Sequence, residues 1–213
     1  MKKSKLIVRL LGGIGNQLFI YANSKALALK NNAELIIDIK SGFENDYKHK
    51  RQCELYHFNL KMNIANKNDR LEPLSKYRRF ILRKFNQLFS FENRNFIIQE
   101  GNDFDCRILD YKILRKTYIE GHWQSELYFK DIESTIREDF KFIPPTDSLN
   151  CNMYKEITEN NKIPIAIHYR FFVNPNSNSD SNISKVYYKK ALIEIENFII
   201  YIHYPQRWNL NFN

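Results

Sequence analysis

The chain of 213 residues carries 33 Lys and Arg against 24 Asp and Glu, a formal net charge of +9, and is 43% hydrophobic and 15% aromatic. That much apolar material excludes an intrinsically disordered chain and supports one large domain, or one domain and part of another. No apolar run approaches the roughly 20 residues that a membrane span needs, and Cys53, Cys106 and Cys151 show neither metal-ligand nor disulfide-framework spacing, which fits a reducing cytoplasm.

The positive balance favours an anionic partner such as a nucleotide, a nucleic acid or an acidic membrane surface. Spread along the chain as it is, it equally describes a solubilising surface. A nucleic-acid partner has only this charge in its favour, so none is expected.

In chain order, Met1 to Lys5 leads into Leu6 to Leu11, a short apolar run interrupted by Arg9 and ended by glycines. This predicts a buried first strand and not the apolar region of a signal peptide. Gln17 to Asn31 places Leu18, Tyr21, Ala22, Lys25, Ala26 and Leu29 at helical spacing, with Asn16 as its N-cap. Ala33 to Ile39 predicts a second strand, so the three segments form a β-loop-α-β unit with a parallel sheet.

From Ser41 to Glu100 the pattern is polar, apart from a basic helix over Ser75 to Phe89. Its cluster Lys76 to Lys84 mixes aromatic and basic residues, as a solvated helix face or one facing anionic lipid or RNA does. Thr117 to Gly121 predicts a strand, and Ser125 caps a helix running through Lys130, Ile132 and Ile136. Pro144-Pro145 marks a linker. Beyond it the pattern gives a helix over Leu149 to Asn161, a strand over Ile163 to Tyr169, a polar loop over Asn174 to Ser184, a helix over Val186 to Glu196 and a strand over Phe198 to Tyr204.

Gly12, Gly13 and Gly15 stand where the first strand meets the first helix, a position at which free backbone N–H groups and the helix dipole favour an anion. The spacing is not the dinucleotide fingerprint G-x-G-x-x-G, since Leu18 stands where the third glycine would fall and no ribose-binding acid follows. That argues against a nicotinamide-dependent oxidoreductase. A structural tight turn is the alternative to anion binding.

The continuation Gly-Gly-Ile-Gly-Asn-Gln-Leu-Phe-Ile-Tyr-Ala, from Gly12 to Ala22, closely resembles the opening G-G-x-G-N-Q-x-F-Q-Y-A of the α-1,2-fucosyltransferases of glycosyltransferase family 11. Tyr118 to Phe129 (Y-I-E-G-H-W-Q-S-E-L-Y-F) is similar to that family's Y-x-x-G-Y-W-Q-S-E-x-Y-F. Ile165 to Arg170 (I-A-I-H-Y-R) is similar to its V-S-V-H-x-R-R-G-D-Y, and Val186 to Ala191 follows like the helix start Y-Y-x-x-A. The resemblance runs from about Lys5 to Ala191.

This resemblance implies an α/β chain of the glycosyltransferase B type, with two Rossmann-like domains. Residues 1–161 would be the N-terminal acceptor-side domain and 162–213 an incomplete donor-binding domain. It implies inverting transfer of L-fucose from GDP-fucose to a galactoside hydroxyl, without cofactor or metal, in bacterial surface polysaccharide synthesis. The partners it implies are a nucleotide sugar and an oligosaccharide or lipid-linked glycan, in the cytoplasm with peripheral contact to the inner membrane. Carried over, Gly13, Gly15, Asn16 and His168 hold the donor, and Arg170 is the catalytic residue. A guanidinium fork neutralises the charge that develops on a leaving diphosphate better than an ammonium does.

Trp123 and Gln124 line the acceptor side, because an indole face packs on sugar C–H surfaces and an amide reads hydroxyls. Trp123 equally suits an interdomain core. Glu120 and Glu126 are candidate bases with nothing to choose between them.

The chain departs from the family at Phe171, Phe172 and Val173, where Arg-Gly-Asp would stand, and at His203 to Trp208, where Ser and Asp residues and the remaining nucleotide-binding domain would follow. The expectation is a reading frame truncated or frameshifted near Asn197, or a degenerate copy. The alternative function is a non-catalytic glycan-binding domain that has lost donor chemistry.

Overall fold

The computed structural model describes residues 3–159, 164–168, 184–193 and 199–203. The chain divides into two compact units, Met1–Ile143 and Pro144–Asn213, at the Pro144-Pro145 linker.

The first unit holds a parallel sheet of four strands in the order β2-β1-β4-β3. Its elements are β1 (Lys5–Arg9), α1 (Ile14–Lys30), β2 (Glu34–Asp38), α2 (Ser75–Asn86), β3 (Phe96–Ile98), β4 (Lys116–Glu120) and α3 (Glu133–Asp139). The chain starts at β1, steps out to β2 at one edge, reappears at the opposite edge as β3 and returns to β4 beside β1. Val8 therefore pairs with Ile37 on one side and Ile119 on the other. The mixed α/β class with a parallel sheet is as the sequence predicts.

Both faces of the sheet are covered, which is why its strands read as nearly continuous apolar runs. Leu6, Val8, Ile37, Ile97 and Ile119 face one layer, packed with Ile20, Tyr21 and Leu27 of α1. Ile7, Ile36, Phe96 and Tyr118 alternate to the other face, against Leu71 and Leu82. There Phe96 and Tyr118 stack with ring centroids 5.5 Å apart.

Several elements differ from the sequence reading. α1 begins at Ile14 with Gly13 as its N-cap, so Asn16 lies inside the first turn and caps nothing. The buried face of α1 is also rotated. Leu29 is exposed, while Gln17, Asn23 and Ser24 are buried. Two of these polar members are bonded, Ser24 Oγ donating to Ile20 O at 2.6 Å, while Asn23 Nδ2 has no partner among the described residues. Gln17 Nε2 donates to Gly12 O and Gln52 O, and Gln17 Oε1 accepts from Glu54 N. In place of one long helix after Ser125 there are two short 3-10 turns, Glu126–Tyr128 and Lys130–Ile132, before α3. Ser125 Oγ caps only the first, accepting from Leu127 N at 3.3 Å.

The second unit holds α4 (Ser148–Thr158), β5 (Pro164–His168), α5 (Lys185–Ile193) and β6 (Ile199–His203). β5 and β6 pair in parallel, Pro164 opposite Ile199 and His168 opposite His203. Asp147 caps α4, its carboxylate accepting from Asn150 N at 2.9 Å.

Candidate functional site

The carboxyl ends of the four parallel strands gather the residues of interest, and in open α/β sheets this is the edge at which ligands bind. After β1 the chain turns through Gly12, whose φ of +76° favours glycine. A Cβ there would lie 2.4 Å from Asn16 Nδ2. Gly13 is extended, with φ −77° and ψ 176°, and contributes no capping side chain.

The first backbone bond back into the helix is Gln17 N to Gly13 O, at 3.1 Å. The N–H groups ahead of it have no acceptor within the helix. Gly13 and Gly15 are exposed, and a Cβ on either would meet no atom within 4 Å. The helix start thus presents free donors and the positive end of the dipole to open space, an arrangement suited to an anion.

The turn after β4 is built against β3. Gln99 Oε1 accepts from His122 N at 2.9 Å and from Trp123 N at 2.8 Å, closing the turn from beneath. Trp123 sits at φ 52°, a left-handed conformation that costs a non-glycine residue about 1–2 kcal/mol. Its fully buried indole offsets that cost by packing edge-on to Tyr128, with centroids 5.6 Å apart. Trp123 is therefore a core residue of the first unit and offers no face to a sugar, contrary to the acceptor-lining role expected for it.

Gln124, the next residue, is exposed, and its Nε2 donates to Asn16 Oδ1 at 2.7 Å. This bond joins the glycine-rich segment to the H-W-Q-S segment across the β1–β4 boundary. Asn16, Gln124, Gly13 and Gly15 are thus brought together.

Beside this turn, on the α2 face of the sheet, lies a group of charges that the sequence reading did not assemble. Arg9, Asp38 and Glu120 end β1, β2 and β4, all on the side where α2 packs. Arg79 of α2, almost fully buried, donates from Nη2 to Asp38 Oδ2 at 2.7 Å and from Nη1 to Glu120 Oε1 at 2.5 Å. Arg83 pairs with the other oxygen of Glu120, and Arg9 Nη1 approaches it to 3.7 Å.

Asp38 accepts further from Lys40 N, Ser41 N and Ser41 Oγ, and Arg9 Nη2 donates to Ser41 O. Burial holds the Arg9 guanidinium below its ordinary range. Glu120 opposes that shift, while Arg79 and Arg83 add to it. Glu120, a candidate base in the sequence, has both carboxylate oxygens engaged by arginines. Glu126 is exposed at the start of its 3-10 turn. The one sequence signal for this cluster is the basic run Arg78-Arg79 to Arg83-Lys84, whose Arg79 and Arg83 pair with acids that stand next to last in two predicted strands.

His168 ends β5, and Arg170 lies outside the described residues. Among the described residues no group of three or more His, Cys, Asp or Glu side chains is placed to hold a metal ion, and no helix is long and apolar enough to cross a membrane. Compared with models of known protein families, with curated proteins and with solved structures, the chain matches none.

Proposed function

We propose that the chain is a fucosyltransferase of the family 11 type, on a glycosyltransferase B fold of which the first unit is the acceptor-side half. The observation that carries this reading is the hydrogen bond between Asn16 and Gln124. It joins the two segments most similar to that family beside the exposed start of α1 at the carboxyl end of the sheet.

In this reading the diphosphate of GDP-fucose approaches the N–H groups around Gly13 and Gly15, with Asn16 and His168 completing the donor contacts. Gln124 faces the acceptor. The acceptor's 2-hydroxyl oxygen attacks C1 of fucose from the face opposite the leaving group, and the C1–O bond to GDP breaks with both electrons. The hydroxyl proton leaves to solvent or to a base, and the negative charge on GDP is neutralised by Arg170. No metal enters the scheme.

The test is product analysis with GDP-fucose and a galactoside. The expected result is a fucosylated product whose formation falls by about 100-fold or more in Arg170→Ala, as for loss of one strong stabiliser of developing charge. Equal rates for the two proteins, or no product from the unaltered chain, would refute the assignment.

A further inference from the structure

α2 is built the wrong way round for a surface helix. The side chains it turns to the sheet include Arg79, Arg83 and Asn86 beside a single apolar one, Leu82, while its other apolar residues face outward. Tyr77, Phe80, Ile81 and Phe85 fall at i, i+3, i+4 and i+8, one helical stripe, and are between 48% and 64% exposed. Leu74 just before the helix and Leu88 just after it extend the ridge and are 73% and 79% exposed. A contiguous apolar ridge of this kind marks an interaction surface.

The charges around the ridge select its partner. From Pro73 to Phe91 there is no Asp or Glu, and the exposed Lys76 and Lys84 make no hydrogen bond or ion pair among the described residues. Arg78 is exposed beside them, and among the described residues its side chain bonds only to the carbonyls of Leu71 and Glu72. A second copy of this chain would bring the same cations against these, within a protein that already carries a net charge of +9. A nucleic acid would satisfy the cations, yet it would leave Leu74, Ile81 and Leu88 without an apolar environment.

An anionic lipid surface satisfies both, with headgroups on the lysines and the acyl boundary under the ridge. We infer that α2 is an interfacial docking helix that lies on anionic membrane with the Tyr77–Phe85 ridge inserted. The buried pairs of Arg79 and Arg83 hold it to the sheet from behind. This inference does not depend on what the glycine turn binds.

Flotation of the full chain with vesicles tests it, using phosphatidylcholine alone and phosphatidylcholine mixed with phosphatidylglycerol. The expected result is binding to the mixed vesicles that weakens with salt and is far lower on phosphatidylcholine alone. Lys76→Gln with Lys84→Gln should lower it by about fivefold per cation. Tyr77→Ser, Ile81→Ser and Phe85→Ser together should abolish it, with the far-ultraviolet dichroism unchanged because none of the three is buried.

Binding that survives the triple substitution would overturn the inference. So would an unaltered chain that ignores the mixed vesicles, including one that self-associates or binds single-stranded RNA through the same residues instead.

Discussion

Arg79→Met removes the centre of the buried charge cluster while keeping the length and much of the volume of the side chain. Arg79 is the one residue that bridges Asp38, at 2.7 Å, and Glu120, at 2.5 Å. Breaking a buried ion pair by deleting one partner costs about 3–5 kcal/mol, because the remaining charge stays desolvated.

The low end applies here for reasons visible in the structure. Asp38 keeps bonds from Lys40 N, Ser41 N and Ser41 Oγ, and Glu120 keeps Arg83 and Arg9. Removal of Arg79 also relieves its repulsion of Arg9. We therefore expect a loss of about 3 kcal/mol, a large share of the roughly 5–15 kcal/mol that holds a domain together.

Arg79→Lys keeps the charge, but a single ammonium cannot reach both carboxylates in the fork geometry, so its loss should fall between zero and that of Met. Urea unfolding followed by dichroism measures both, with Arg137→Ala as the control. That residue forms an exposed i,i+4 pair with Glu133, worth about 0.3–0.5 kcal/mol. An Arg79→Met variant no less stable than the control would show that the cluster contributes nothing net and would refute the argument.

Gly15→Ala should separate structure from function. It meets nothing within 4 Å and lies in the first turn of α1, so stability should rise by about 0.5–1 kcal/mol. GDP binding by calorimetry should weaken at the same time if phosphate approaches there, and unchanged binding would move the phosphate elsewhere. Gly12→Ala should destabilise by about 2 kcal/mol, since it imposes a left-handed φ on alanine and drives Asn16 off Gln124, as thermal melts would report. The bidentate pair with Arg107, at 2.8 and 2.7 Å, holds the Asp105 carboxyl below the usual carboxylate range. A depressed folded value gives stability that is present above the unfolded value, about 3.9, and is lost as pH falls through the folded one. Asp105→Asn should therefore be less stable than the unaltered chain at pH 7 in denaturant titrations, with the gap closing below about pH 4.

What could be read in the sequence was local, and what was missed was assembled by the fold. β1, β2 and β4 are legible because a strand buried on both faces is a run of β-branched and apolar residues, as in Leu6 to Val8 or Leu35 to Ile37. β3 is only Phe96–Ile98, too short to show a period among polar neighbours, and gains its burial from Tyr118 and Leu82. Helix α1 is legible, but its inward face is not. Gln17 and Ser24 enter the core because the backbone groups of Gly12, Gln52, Glu54 and Ile20 meet them there.

The same holds for the site. The glycine turn is local and could be found, whereas its junction with Gln124 spans 108 positions and only the β1–β4 pairing creates it. Trp123 shows how a sequence motif can locate a turn without locating its side chain in space. The motif fixes a turn whose left-handed φ is tolerable only because the indole is sunk into the core, so the residue that shapes the turn cannot also line it. The side chain left at the surface is Gln124, and a polar amide already engaged with Asn16 ties any ligand contact on the β4 side to the state of the glycine turn. If this edge holds donor and acceptor as proposed, the two are coupled through one hydrogen bond, and Asn16→Ala or Gln124→Ala should weaken the binding of both GDP and a galactoside.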